Sequence, residues 1–255
     1  MKGIKKMWQP KPKSHKGDNG IITIIAGSKQ YHGAALLAIK AASRLVDLVF
    51  FYSTKNNQAL LQKIKTHACE FININKSLNK YLLKSDAILI GPGMEINKIL
   101  INKLLIKFNN KKIILDAGAL KLINKKLLNN NIIITPHAVE FQFLFGIPGN
   151  VNNVKIMAQK YQCTIVLKGA KDVICNSQKI YYNKGGNAGM TKGGTGDVLA
   201  GLITALAAKN NLLSAAFYGS FFNKKAGEAL YKKVGFYFNA TDLANELPKT
   251  INLYK

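Results

Sequence analysis

The segment with the most distinctive chemistry is Gly193-Gly194-Thr195-Gly196-Asp197, a glycine-rich stretch that ends in a carboxylate. Glycines let backbone N–H groups converge on an anion, and the uncharged helical pattern that follows over residues 198–208 adds the positive end of a helix dipole. A carboxylate there can accept a proton while the amides hold the charge that develops on a transferring phosphoryl group. The segment therefore predicts a phosphoryl-transfer site with Asp197 as the base. The alternative is a glycine turn with an aspartate helix cap.

Two common nucleotide-binding signatures do not occur in the sequence. No Gly-Lys-Ser/Thr follows the glycines at the spacing of a Walker loop, and no GxGxxG follows the first predicted strand. These observations exclude a P-loop enzyme and disfavour a hydride-transfer enzyme of the Rossmann type. At Gly196 we expect glycine to be required for a positive φ and for the room that a bound anion needs.

The chain alternates short apolar runs with helical patterns, which is typical of a parallel sheet with crossover helices. The predicted strands cover residues 21–26, 47–52, 86–90, 113–115, 132–135 and 163–167, followed by a hairpin of residues 172–175 and 179–182. The predicted helices cover residues 34–45, 96–108, 198–208, 213–232 and 241–247. Because no linker or change of composition divides the chain, we expect a single domain over residues 1–255, with its core at about 14–248.

Residues that could bind a ligand follow the predicted strands. They are Gly27, Gly91-Pro92-Gly93, Asp116, His137 and Lys168-Gly169. In open α/β sheets, ligands bind outside the carboxyl ends of the strands, so these residues together predict a site. Each also has a simpler interpretation, since His137 could bond to the backbone at a helix start and Lys168 could be one more surface lysine.

The chain is strongly basic, with 37 Lys and Arg against 12 Asp and Glu and a formal charge of +25. Arg44 is the only arginine, whereas specific readers of nucleic acid favour arginine forks. We therefore interpret the charge as a drift of composition toward lysine and expect no specific nucleic-acid partner. Three widely spaced cysteines suggest neither a zinc site nor a disulfide framework, and no apolar stretch approaches the roughly 20 residues of a membrane span. We expect a cytoplasmic protein with no membrane partner.

Several motifs in a fixed order resemble the NAD(P)H-hydrate dehydratase family, which belongs to the ribokinase-like superfamily. They are Ser14-His15-Lys16-Gly17-Asp18-Asn19-Gly20, Ala26-Gly27-Ser28, Tyr31-His32-Gly33-Ala34-Ala35, Gly91-Pro92-Gly93, Leu115-Asp116-Ala117, Thr135-Pro136-His137 with Glu140, Val166-Leu167-Lys168-Gly169-Ala170, and residues 187–201 with the intact GGTGD core. The resemblance implies a three-layer ribokinase-like α/β fold, with a mainly parallel central sheet flanked by helices and a small β-hairpin.

The resemblance also implies an activity and a site. Such an enzyme is an ADP-dependent (S)-NAD(P)H-hydrate dehydratase, a hydro-lyase that returns hydrated NADH and NADPH (NADHX and NADPHX) to NADH and NADPH, with AMP and phosphate as co-products. The co-substrate is ADP or ATP, together with Mg²⁺, and no metal site formed by the protein itself is expected. By matching positions, Asp197 is the catalytic base. The nucleotide is held by Lys168, Gly169, Ala170, Lys171, Asp172 and Gly196, and the hydrate by Ala34, Gly93, His137 and Asp197.

The family pattern is not matched everywhere. Departures occur at Glu95, Gly118, Ala138-Val139, Lys171-Asp172 and Asn187-Ala188. The resemblance implies a homo-oligomer, a tetramer. Since we expect no fused epimerase domain before Ser14, the protein would rely on a separate epimerase or on spontaneous epimerisation. Two other functions remain open from the sequence: a ribokinase-like kinase for a small molecule such as a vitamin precursor, and a non-catalytic relative that binds polyanions.

Overall fold

The computed structural model describes residues 6–54, 57, 59, 69–95 and 97–254. Nine strands lie in this part of the chain: β1 Ile21–Ile25, β2 Leu48–Tyr52, β3 Ile72–Asn73, β4 Ala87–Ile90, β5 Lys112–Leu115, β6 Ile132–Ile134, β7 Thr164–Leu167, β8 Lys171–Cys175 and β9 Ile180–Lys184. The helices are α1 His32–Ala42, α2 Leu78–Lys84, α3 Lys98–Lys107, α4 Ala138–Phe145, α5 Val151–Tyr161, α6 Thr195–Lys209, α7 Leu212–Val234 and α8 Ala240–Leu253. Short 3₁₀ turns cover Ala117–Lys121, Lys125–Leu127 and Ala188–Thr191.

The strands form one sheet in the order β3-β2-β1-β4-β5-β6-β7-β8-β9. Every neighbouring pair from β3 to β7 is parallel, whereas β8 and β9 are antiparallel additions at one edge. The sheet therefore confirms the predicted mainly parallel arrangement and the predicted hairpin. Because β2 and β4 lie on opposite sides of β1, the chain changes direction at β1, and a crevice opens there at the strand ends.

Two apolar clusters cover the two faces of the sheet. Alternate residues of β4 face opposite sides, so Leu89 packs with α1, α6, α7 and α8, whereas Ile88 and Ile90 pack with α2, α3, α4 and α5. Strands that are buried on both faces read as continuous apolar runs, which is why the sequence pattern locates them well. The result is the expected three-layer α/β architecture.

The helices differ from the sequence expectation at several bounds, most of all at the end of α8, which extends to Leu253 and not to residue 247. The glycine-rich segment is itself partly helical, because α6 begins at Thr195 and not at residue 198. The predicted helix over residues 96–108 is observed as Lys98–Lys107, and residue 96 lies outside the described residues. Helices α2, α4 and α5 were not predicted. None of the described helices is long and apolar enough to cross a membrane.

Candidate active site

Asp197 lies in the first turn of α6, where its carboxylate is not used as a helix cap. The N-cap residue is Gly194, whose φ of 95° is in the left-handed region, and no side chain caps this helix. The carboxylate of Asp197 forms no hydrogen bond or ion pair with any residue that the structure describes. The structure therefore excludes the interpretation of Asp197 as a helix cap. Its carboxylate lies beside the amides of a helix N-terminus and is available to a ligand.

The surroundings of Asp197 favour its protonated form. Burial raises the pKa of Asp197 to about 7, with further contributions from the negative charges of Asp116 and Glu140, while the positive charge of Lys168 acts in the opposite direction. A carboxyl group with a pKa near neutrality can both accept and return a proton at physiological pH. This combination of burial and specific charge partners is typical of a catalytic group.

Lys168 is the cation at the centre of this group of carboxylates. Its Nζ lies 2.9 Å from Oδ1 of Asp116 and 3.6 Å from Oε2 of Glu140. Burial by itself would lower the pKa of Lys168, but the charges of Asp116, Glu140 and Asp197 outweigh it, and the pKa is raised. Lys168 is therefore held in its charged form at the end of β7, and Thr135 fixes Asp116 from the other side through a 2.7 Å hydrogen bond to the same Oδ1.

His137 connects the start of α4 to the same cluster. Its Nδ1 accepts a hydrogen bond from the backbone N–H of Glu140, and the carboxylate of Glu140 accepts one from the backbone N–H of His137. This capping box leaves Nε2 3.5 Å from Oε2 of Glu140, and about half of the His137 side chain is exposed. The capping role that the sequence left open for His137 is thus present, and its exposed ring edge still faces solvent.

A pocket of about 690 Å³ opens at the carboxyl end of β7. We call it the strand-end pocket. Most of the predicted site residues line it: His137, Lys168, Gly169, Ala170, Asp172 and Gly196. The opposite walls are formed by the segment of residues 185–191, by Leu199 on α6, and by Asn223 and Lys224 on α7. The structure therefore brings together predicted site residues that are up to about 60 positions apart in the sequence.

The loop between β7 and β8 is held by buried charges. Asp172 accepts hydrogen bonds from the Gly169 N–H at 2.9 Å and from the hydroxyl of Ser220 at 2.7 Å. Lys224 lies 3.3 Å from Asp172 and donates to the carbonyl of Gly169 at 2.8 Å. Asp172 consequently shapes the loop from within, whereas its neighbour Lys171 lies on the exposed side, with Nζ 3.9 Å from the centre of the Tyr182 ring.

Ala34 and Gly93 lie next to each other at the crevice between β1 and β4. A Cβ added to Gly93 would lie 2.8 Å from Cβ of Ala34 and 2.4 Å from the carbonyl oxygen of Tyr31, and the φ of Gly93 is +60°. Neither residue lines the strand-end pocket. The link to Asp197 is the packing of α1 on α6, since Leu37 contacts the position of Gly194 at the start of α6.

Two departures from the family pattern face each other in the fold. A Cβ at Gly118 would lie 2.8 Å from the carbonyl oxygen of Met94 and 3.3 Å from that of Gly91. The chain after Gly93 therefore occupies the space that a side chain at position 118 would need.

Sequence reasoning missed the residues of α7 that complete the site. Ser220, Lys224 and Gly227 recur at helical spacing, and all three contact the loops around the strand-end pocket. Ser220 and Lys224 are buried polar residues one helical turn apart, and that spacing is the signal that could have revealed them, whereas Gly227 takes part only through its carbonyl oxygen. Asp116 and Glu140 were noted as motif residues, but their role as partners of Lys168 was not predicted.

The raised pKa of Asp197 predicts a pH-dependent stability difference. An unfolded Asp titrates near 3.9, so the native protein binds more protons than the unfolded chain between about pH 4 and 7, and stability falls as pH rises through that window. Asp197→Asn removes this loss of stability, because asparagine does not ionise. At pH 8 we expect the variant to be more stable by on the order of 2 kcal/mol. The gap should close below about pH 4. Denaturant unfolding at several pH values measures it, and equal stability at pH 8 would contradict the assigned surroundings of Asp197.

Comparison with known structures defines the class of protein. The fold superimposes on a ribokinase-like superfamily protein from Enterococcus faecalis with a TM-score of 0.87 and 25% identity, over 97% of this chain and 92% of that one. The chain has a mainly parallel sheet, and a glycine-rich helix start with an Asp beside it lies at the carboxyl ends of the strands. It is thus a ribokinase-like α/β domain.

The family follows from the sequence comparisons. A family model described as NAD(P)H-hydrate dehydratase matches residues 22–249. The chain is 36% identical to an ADP-dependent (S)-NAD(P)H-hydrate dehydratase of Nitrosopumilus maritimus, over 93% of this chain and 90% of that protein. It is 37% identical to a bifunctional NAD(P)H-hydrate repair enzyme of Methanocaldococcus jannaschii, over 95% of this chain but about half of the relative's length. This chain belongs to the NAD(P)H-hydrate dehydratase family.

Proposed function

We propose that this protein is an ADP-dependent (S)-NAD(P)H-hydrate dehydratase that repairs NADHX and NADPHX. The observation that carries the proposal is the Asp197 carboxylate, which has no hydrogen-bond or ion-pair partner among the described residues and lies at the start of α6. Its pKa of about 7 suits a base that must accept a hydroxyl proton near neutral pH. Relatives named for this activity cover nearly the whole chain and support the choice of reaction.

The strand-end pocket fits the nucleotide. We place the phosphates of ADP between Lys168 and the first turn of α6, because a cation and helix N–H groups together favour an anion. A Cβ at Gly196 would lie 3.6 Å from Nζ of Lys168, so the glycine keeps the space between these two groups clear. Gly169 and Ala170 in the loop after β7, with Lys171 and Asp172 at the start of β8, then enclose the nucleotide.

In the proposed reaction, Asp197 takes the proton of the hydrate hydroxyl, and that oxygen attacks the terminal phosphorus of ADP. The bond from phosphorus to the bridging oxygen breaks, and AMP leaves. Lys168 and the helix amides stabilise the charge on the transferring group. The new C–O–P ester then loses phosphate as its C–O bond breaks, and loss of a proton from the neighbouring carbon restores the dihydropyridine. Ala34, Gly93 and His137 would line the hydrate side of Asp197.

Mg²⁺ fits this proposal as part of the nucleotide complex. The described residues contain no group of three His, Cys, Asp or Glu side chains that could hold a metal by themselves. Mg²⁺ is commonly bound by substrate phosphates and waters, with few protein ligands. When bound with ADP, the metal would supply charge neutralisation on the phosphates, while Asp197 stays available as the base.

The remaining expectations belong to the same proposal. The two apolar clusters on one continuous sheet support a single domain. A homo-oligomer, a separate epimerase and a cytoplasmic location stay proposals that accompany the assigned activity.

The test of the activity uses purified protein, hydrated NADH and ADP. We expect the absorbance of reduced nicotinamide to return, with one AMP and one phosphate formed for each NADH, and no return without nucleotide. A small-molecule kinase of the same fold would instead accumulate a phosphorylated product without restoring the absorbance. That result would overturn the proposal.

Gly196→Ala separates nucleotide binding from folding. The sequence predicted a positive φ at Gly196, but this is wrong: the positive φ lies at Gly194, and Gly196 is helical. Alanine is therefore allowed by the backbone and should stabilise the free protein by about 0.5–1 kcal/mol. Because its methyl group would occupy the phosphate position, we expect ADP affinity to fall about 10- to 100-fold, as overpacking costs about 1–3 kcal/mol. Calorimetry and thermal unfolding measure the two effects, and unchanged ADP affinity would remove Gly196 from the site.

A further inference from the structure

One face of α7 forms a wall between the two loops of the strand-end pocket. Ser220 donates to Oδ2 of Asp172 at 2.7 Å, and one turn later Nζ of Lys224 donates to the carbonyl oxygen of Gly169 at 2.8 Å. Asn223 is next to Lys224, three residues after Ser220, and also lines the pocket. Residues three and four apart share a helix face, so Asn223 belongs to the same wall.

The polar side chains of the pocket walls are almost all engaged within the protein. Asn187 uses both ends of its carboxamide, since Oδ1 accepts from a backbone N–H and Nδ2 donates to a carbonyl oxygen of α7. The hydroxyls of Thr191 and Thr195 also donate to backbone carbonyl oxygens. In contrast, Oδ1 of Asn223 has no hydrogen-bond partner among the described residues, and the residue is only 6% exposed.

An unpartnered acceptor in a buried position is uncommon, because such groups are costly unless something satisfies them. The terminal torsion of Asn is broad, so the carboxamide can turn about its Cβ–Cγ bond and present either its oxygen or its NH₂ group. Asn223 thus carries an acceptor and a donor on one carboxamide at the pocket wall, and a bound molecule engages both once the carboxamide turns toward it. This pair recognises a flat group that has a donor next to an acceptor.

The part of the pocket near Asn223 suits a flat ring. Gly186 and Met190 lie together beside Lys224, the neighbour of Asn223 on α7, since a Cβ on Gly186 would be 2.8 Å from Sδ of Met190 and 3.6 Å from Cγ of Lys224. Leu199 and Ala188 add further apolar surface to the lining. Apolar walls with one polar group that fixes orientation are the usual form of a site for an aromatic ligand.

We propose that Asn223 reads the base of the nucleotide and makes the site selective for adenine. This inference rests on the proposed function, which places ADP in the strand-end pocket. Oδ1 accepts a hydrogen bond from N6, the exocyclic amino group of adenine, and Nδ2 donates to the ring nitrogen N7, as in other pairings of asparagine with adenine. Hypoxanthine and guanine present two acceptors at this edge, O6 and N7, so the carboxamide cannot pair with both in either of its orientations.

The experiment compares ADP with inosine diphosphate (IDP), because the two differ at the edge of the base that Asn223 would contact. Calorimetry on the full chain needs no hydrate and no turnover. We expect the wild-type protein to bind ADP about 10- to 100-fold more tightly than IDP, the discrimination typical of a bidentate base contact. Asn223→Leu keeps the volume and removes both hydrogen-bonding groups, so the ratio of the two dissociation constants should fall to near one.

Two further variants make the outcome decisive. Asn223→Ala should also abolish the discrimination and replaces the leucine variant if that protein does not fold. Asn152→Leu, the same substitution at an exposed position of α5, should keep the wild-type ratio. Equal binding of ADP and IDP by the wild type, or an unchanged ratio in the Asn223 variants, would overturn the role of Asn223 while leaving the dehydratase proposal intact. Failure to bind either nucleotide would overturn both.

Discussion

Asp197→Asn is expected to lower kcat by about 10²- to 10⁴-fold, the usual contribution of a general base. Asparagine has nearly the same shape but cannot accept the hydroxyl proton of the hydrate. The ADP affinity should change little, because the phosphates are expected to contact Lys168 and the helix amides. Steady-state kinetics of NADH recovery, together with calorimetric ADP binding, measure both quantities.

Asp242→Asn is a matched control for this variant. Asp242 occupies the same position in the first turn of α8 as Asp197 does in α6, but it accepts a hydrogen bond from the backbone N–H of Asn239 in a capping box. Its replacement should lower stability and leave turnover unchanged, which is the opposite of the pattern expected for Asp197→Asn. If Asp197→Asn keeps more than about half of the wild-type turnover, Asp197 is not the base.

Lys168→Met is expected to lower kcat/KM by about 10²- to 10³-fold, comparable with removing one group that stabilises a transition-state charge. The variant should also change the pH dependence. Because the positive charge of Lys168 lowers the pKa of Asp197, its loss should raise that pKa further, and the rising limb of the pH–rate profile should move to higher pH. The wild-type limb is expected near pH 7, where Asp197 becomes deprotonated.

Lys179→Met removes a lysine at an exposed position of the β8–β9 hairpin and serves as the control for general charge effects. It should retain both the rate and the profile of the wild type. A Lys168→Met enzyme with reduced rate but an unshifted profile would mean that Lys168 does not act on Asp197 electrostatically.

The strands other than the two-residue β3, which was not predicted, were predictable because each is a short apolar run with a turn or polar residue after it. Helix α4 was not, since Ala138–Phe145 alternates apolar and polar residues as a strand does. Its helical state depends on the capping box of His137 and Glu140 and on burial of Phe141 and Leu144. The local sequence pattern does not reveal cap geometry or tertiary packing, so it does not predict this helix.

The position of the proposed base could be predicted from the sequence, but the surroundings that set its pKa could not. The glycine-rich segment locates Asp197 from consecutive residues. Its pKa depends on Asp116, Glu140 and Lys168, which come from separate strand ends and meet only in the folded protein. The hydrogen bonds from Lys224 to the loop after β7 could not be predicted from the sequence for the same reason, because the acceptors are about 55 residues away in the chain.

The most direct test of the account follows the oxygen of the hydrate hydroxyl. NADHX prepared in ¹⁸O-labelled water carries the label in that hydroxyl, and the reaction is run with ADP in unlabelled water. If Asp197 directs this hydroxyl to the phosphorus of ADP, each phosphate released will contain one ¹⁸O atom when analysed by mass spectrometry. Unlabelled phosphate accompanied by full recovery of NADH would show that water, and not the hydrate, attacks ADP, and would contradict the phosphoryl-transfer mechanism.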